Sequence, residues 1–214
     1  MRLGTEFREG RSGSRGAGTR RPATAALPDA AAQLFLEFGY DRTSLARVAE
    51  RAGVSKATLF KQFPTKAELF EATVLAAGGS PVPEPVEIPT GDLYAGLVVL
   101  GRAYAELLTR PRMVALMRTV IAESHHFPEL RERTFDFGTL PVLRSLGRHL
   151  REAHSAGSAD IDDPDLASAQ FLGMIASAVF WPRLTHGTWS ISEEEQSRAV
   201  DEAARTIAAR FATR

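Results

Sequence analysis

Cysteine is absent from the chain. That excludes disulfides, thiolate metal sites and cysteine nucleophiles, and makes a reducing cytoplasm the expected compartment. Long apolar runs are missing as well. No stretch approaches the ~18 consecutive apolar residues of a membrane-spanning helix, and the basic N-terminus lacks the apolar segment of a secretory signal. Alternating Val, Ile and Thr patterns do not occur, so strands are not expected. There is no G-x-S-x-G elbow, no P-loop and no dinucleotide-binding glycine fingerprint, and no cofactor is expected. Net charge is also lacking: 26 Lys and Arg balance 26 Asp and Glu, which argues against a protein that coats nucleic acid nonspecifically. The distribution is uneven, however. Residues 1–70 hold twelve basic against seven acidic side chains, and the remainder fourteen against nineteen. A basic front and an acidic back suggest that one end alone meets a polyanion.

What is present is almost entirely helical in pattern. Residues 1–21, rich in Gly, Arg and Ser, read as a flexible basic arm. A helical face begins near Ala25 and runs through Leu27, Ala31, Leu34, Phe35 and Phe38 until Gly39 stops it. Thr43 or Ser44 then caps a second helix, whose apolar face is Leu45, Val48, Ala49 and Ala52. Gly53 can take positive φ and turn the chain, Val54 can plug that turn, and Ser55 caps a short third helix through Leu59, Phe60 and Phe63. Two short helices around a tight glycine turn form a helix-turn-helix pattern. Thr65 and Glu68 have capping-box spacing, predicting a helix from about Lys66 to Ala77. The stretch 78–91, GGSPVPEPVEIPTG, carries four prolines and three glycines and reads as a linker. Six further helices are expected near 91–109, 111–125, 128–137, 140–155, 163–186 and 192–212. Pro111, Pro128 and Pro164 sit where a first helical turn tolerates a missing amide proton. The expected fold class is all-α: a helix-turn-helix unit over 22–77 and a helical unit over 92–214.

The run AAAQLFLEFGYDRTSLARVAERAGVSKATLFKQFPTKAELF, within residues 25–72, closely resembles the DNA-binding domain of the tetracycline-repressor (TetR) family of transcriptional regulators. Farther on, IAESHHFPELRE and IDDPDLASAQFLGMI resemble the ligand-binding half of the AefR-like or AcrR-like subgroup. The resemblance implies that Gly53 and Val54 set a recognition helix, Ser55 to Gln62, into the major groove of an operator. Residue chemistry agrees with that reading. Ser55, Lys56, Ala57, Thr58, Phe60, Lys61 and Gln62 are the candidate DNA-facing positions, while Leu59 and Phe63 face inward. Gln62 can bond an adenine edge bidentately, Lys61 can reach guanine, and Thr58 suits a phosphate or a thymine methyl. Thr43 and Ser44 can offer phosphate their amides at a helix start, and Lys66 adds a cation. Phe60 stands where the family usually has Tyr, which removes a phenol-to-phosphate bond. Gln62 stands where it often has His, which should change base preference.

The C-terminal half can both dimerise and enclose a small molecule. Gln170, Gly173, Ile175, Ala203, Ile207 and Phe211, on the last two helices, are the candidate dimer seam. The family pairs such helices into a four-helix interface, and a dimer sets two recognition helices about 34–36 Å apart. Tyr104, Met113, Met117, Phe135, Phe137, Met174 and Trp181 are candidate pocket residues, and their character suggests an apolar or aromatic effector. The expected partners are therefore an operator duplex, a second copy of the chain and a small molecule. The competing class is an all-α enzyme using Glu123, His125 or His126. Glu123 and His126 share a helical face, but no second such pair exists to complete a metal site.

Overall fold

The structure, a computed structural model, describes residues 26–77, 88–89, 91–130 and 141–213. Helices account for about three quarters of them: α1 (Leu27–Phe38), α2 (Leu45–Ala52), α3 (Lys56–Gln62), α4 (Lys66–Ala77), α5 (Leu93–Thr109) and α6 (Pro111–Glu123) in the first part. After the break come α7 (Pro141–Ser155), α8 (Pro164–Val179), α9 (Trp181–Thr185) and α10 (Glu193–Arg210). Among the described residues there is no strand, and one isolated bridge joins Ala159 to Ala212. The chain is all-α. The predicted arm 1–21, most of the linker 78–91 and most of the predicted helix 128–137 lie outside the described residues, as do Phe135 and Phe137.

Local chemistry sets most helix starts. Side chains of Ser44, Ser55, Asp92, Asp163 and Ser192 each accept the backbone N–H three residues on, satisfying an amide that has no helical partner. Thr65 and Glu68 complete a reciprocal capping box, with Thr65 N–H donating to Glu68 Oε2 at 3.0 Å and Glu68 N–H to Thr65 Oγ1 at 3.2 Å. The predicted single helix 163–186 is two helices instead. Pro182 has no amide proton and its ring crowds the preceding turn, so α8 closes at Val179 and α9 restarts from Phe180.

The N-terminal core is aromatic. Phe35 stacks on Tyr40 at 5.6 Å between ring centres, and Phe70 meets both edge-on at 5.0 and 5.4 Å. Leu27, Leu34, Leu59 and Leu69 seal it. Helix α6 fastens this unit to the rest of the chain at both ends. Arg112 pairs with Asp29 of α1, and just beyond the other end Phe127 packs edge-on against Tyr40 at 5.0 Å. In the C-terminal half, α5 is the central rod. Gly101 lets α8 and α10 come close: a Cβ there would lie 2.7 Å from Val200 and 2.9 Å from Phe171.

The predicted dimer residues divide by face. Ile175, Ala203 and Ile207 are buried in the protomer's own core and cannot form a seam as expected. The Ala203–Ile207 stripe of α10 is real, but α5 and α8 cover it within one chain. Phe211 is half-buried beneath Arg210, whereas Gln170 and Gly173 face outward.

Candidate nucleic-acid interface

Helix α3 is aimed by the turn before it. Gly53 takes φ +68°, the left-handed conformation that costs glycine least. Its N–H donates to the Glu50 carbonyl at 3.1 Å, and the Val54 N–H to the Ala49 carbonyl at 3.0 Å. The last carbonyls of α2 are thereby satisfied while the chain reverses. Ser55 Oγ then accepts the Thr58 N–H at 3.0 Å and shares a 2.8 Å hydroxyl–hydroxyl bond with Thr58. Leu59 is fully buried and anchors the helix. All the positions of α3 and its cap predicted to face DNA are exposed: Ser55, Lys56, Ala57, Thr58, Phe60, Lys61 and Gln62.

Two residues predicted to touch DNA hold the fold instead. Thr43 is 2% exposed. Its hydroxyl donates toward the carbonyls of Leu34 at 3.1 Å and Gly39 at 2.8 Å, and its amide toward Tyr40. It clamps the end of α1 and has no amide left for phosphate. The predicted cap falls to Ser44, which is exposed and accepts the Arg47 N–H at 3.3 Å. Lys66 is half-buried, its ammonium donating to the carbonyls of Tyr40 at 2.9 Å and Asp41 at 3.2 Å while lying over the Tyr40 ring. It pins α4 to the loop after α1.

Sequence reasoning missed Arg42 and Arg47, which stand exposed at the start of α2 beside Ser44. Arg42 bonds the Phe38 carbonyl at 3.0 Å, and Arg47 lies over the Phe38 ring at 4.1 Å. Their positions two before and three after the cap were the available signal.

In the C-terminal half, Tyr104, Met113 and Met117 are buried and Met174 half-buried, whereas Trp181 is 51% exposed on α9. Burial pushes the Tyr104 phenol up to about 12, so it stays neutral. A surface groove among Ala178, Trp189, Ile191, Arg198 and Glu202 contains none of the predicted pocket residues. His125 and His126 are exposed, their rings edge-on at 5.4 Å. Among the described residues, no three His, Asp or Glu side chains gather as a metal site and no helix is long and apolar enough to cross a membrane.

Comparison with known proteins agrees with this geometry. The profile of bacterial regulatory proteins of the tetR family matches residues 27–73, and that of the AefR-like transcriptional repressor C-terminal domain matches residues 95–213. A DNA-binding transcriptional repressor TetR from Mycobacteroides abscessus is 30% identical over 77% of this chain and 83% of its own length. The solved structure of the flavonoid-responsive regulator FrrA superposes with a TM-score of 0.68 at 30% identity, covering 90% of this chain and 98% of that one. A TetR regulator from Agrobacterium tumefaciens shares the fold with a TM-score of 0.72 at 22% identity, covering 90% and 96%. The chain belongs to the TetR family of transcriptional regulators, with a DNA-binding helix-turn-helix and an AefR-like C-terminal domain, and is not an enzyme.

Proposed function

We propose that the protein is a repressor that binds a near-palindromic operator as a homodimer and is released by a small apolar or aromatic effector. The observation that carries this reading is α3 itself: Leu59 is sealed while Lys56, Thr58, Lys61 and Gln62 stand in solvent on one short rod. In this reading Gln62 and Lys61 contact base edges, and Ser44 with Arg42 and Arg47 holds the phosphate backbone. The repressor name of the Mycobacteroides relative supports the sign of regulation.

Dimerisation is assigned to the outward stripe of α8. Leu166, Ala169, Gln170, Gly173 and Ser177 are all exposed at positions that share one face, and Leu166 is 54% exposed. Small residues among them permit close helix approach. The effector space is assigned to Tyr104, Met113 and Met117. Met side chains adapt to irregular apolar shapes, and a neutral phenol supplies one hydrogen-bonding handle. The flavonoid responsiveness of FrrA supports an aromatic, weakly polar effector. Linkage requires that the effector bind the DNA-incompetent arrangement more tightly than the DNA-bound one.

The test is fluorescence anisotropy of the full-length protein on duplex DNA from upstream of its own gene, with and without quercetin as the aromatic probe. The reading expects tight binding that quercetin weakens. Absence of binding to any upstream duplex contradicts the repressor assignment, and binding indifferent to an aromatic panel contradicts the effector class.

A further inference from the structure

Phe60 is 48% exposed, on a helix whose other solvent-facing side chains are polar or small. Its near neighbour in sequence, Leu59, is the residue that anchors α3 to the core, so Phe60 is not needed for that packing. Residues four apart share a helical face. Lys56 and Phe60 therefore form one flank of α3, Ala57 and Lys61 its crest, and Thr58 and Gln62 the other flank. The Thr58–Gln62 row offers hydrogen-bonding tips throughout, the Ala57–Lys61 row pairs a methyl with an ammonium, and the Lys56–Phe60 row pairs an ammonium with a bare hydrocarbon ring, the one large apolar side chain exposed on α3.

A phenyl ring has no donor or acceptor for base edges or phosphates. The major groove of unmodified DNA offers it one apolar group, the 5-methyl of thymine. On this ground, and resting on the reading that α3 enters the major groove, we propose that Phe60 is a specificity-determining residue that selects a thymine methyl in each operator half-site. The ring covers the methyl and excludes water from it, with Lys56 on the same flank free to reach the adjoining phosphate. The contact distinguishes thymine from both purines and from unmethylated cytosine at that position, and it needs no hydrogen bond.

The experiment starts from duplexes enriched by the full-length protein out of a random DNA library. Each thymine of the enriched duplex is replaced in turn by uracil, which deletes the methyl and nothing else. Burial of one methyl is worth about a fourfold change in affinity. The expected result is one thymine per half-site whose replacement weakens binding by about that factor, with Phe60→Ala binding thymine and uracil duplexes alike and Phe60→Tyr keeping the difference. Because the ring is half in solvent, Phe60→Ala should melt like the parent, which circular dichroism checks. If every uracil duplex binds the parent as well as its thymine counterpart, or if Phe60→Ala keeps the methyl sensitivity, the proposal is overturned while DNA reading by α3 stands. If the library yields no enriched duplex, DNA reading fails and this proposal with it.

Discussion

The Lys66 ammonium donates to the Tyr40 carbonyl at 2.9 Å and at the same time lies 4.3 Å from the centre of the Tyr40 ring. One side chain thus ties the start of α4 to the loop after α1 twice over, by a charge-assisted hydrogen bond and by a cation–π contact. Lys66→Met keeps the aliphatic stem and removes both. It should cost ~1–3 kcal/mol of stability, visible as a lower melting temperature in the absence of DNA. A variant that melts like the parent and only weakens DNA binding would return Lys66 to the role of a plain phosphate contact.

Thr43 and Ser44 are neighbours with different duties. Thr43→Val preserves shape but deletes a buried hydroxyl facing the Leu34 and Gly39 carbonyls, which should cost ~1–3 kcal/mol. Ser44→Ala removes an exposed cap from α2 and should cost ~1 kcal/mol. Urea denaturation of both variants checks the order.

Two glycines are needed for unrelated reasons. At Gly53 a Cβ meets nothing within 4 Å, but φ is +68°. Gly53→Ala should therefore cost ~1 kcal/mol through backbone conformation alone, and Gly53→Asn, which tolerates left-handed backbone, should cost less. Gly101 has ordinary helical backbone within α5, but a Cβ there presses on Val200, Phe171 and Ile175. Gly101→Ala should cost ~1–3 kcal/mol by overpacking. Thermal melts of the three variants separate the two causes.

His149 is 7% exposed, its Nε2 has no hydrogen-bond partner, and a Cβ at Gly96 would collide with its ring. Burial holds its pKa below the ordinary 6.5, against the opposing pull of the Leu93 backbone and the Glu152 and Asp92 carboxylates. The unfolded chain therefore takes up a proton at pH values where the folded chain does not. The stability that follows is fully present above about 6.5 and is lost as pH falls from there through the folded value. The melting temperature should drop between pH 7.5 and 5.5, and His149→Leu should flatten that dependence. An equal slope in parent and variant would place the titration elsewhere.

The features legible in the sequence are those set by neighbours along the chain. Gly53, Ser55 and the Thr65–Glu68 box act on amides and carbonyls within a few residues, so their roles could be read directly. Thr43 could not, because its partners Leu34 and Gly39 lie across a turn and only tertiary structure seals the hydroxyl between them. Lys66 misled for the same reason: its acceptors are 26 and 25 residues away. In α10, periodicity found the Ala203–Ile207 stripe but not which surface covers it, since an intramolecular helix and a second copy demand the same pattern. The break at Phe180 was masked by the apolar run Val179, Phe180 and Trp181, which carries the helical pattern up to Pro182. Pocket residues are hardest of all, because a Met that lines a cavity and a Met that fills a core look alike in sequence.

The most direct measurement is the salt dependence of binding to an upstream duplex, for the full-length parent and for Lys61→Ala and Gln62→Ala. With α3 reading DNA, log affinity should fall steeply and linearly with log salt. Lys61→Ala removes a base-edge contact and a cation together, so it should weaken binding to the preferred duplex and make that slope shallower by about one unit, and Gln62→Ala should weaken binding to the preferred duplex with the slope unchanged. Binding that ignores salt, with both variants matching the parent, would contradict the assignment of α3 as the reading helix.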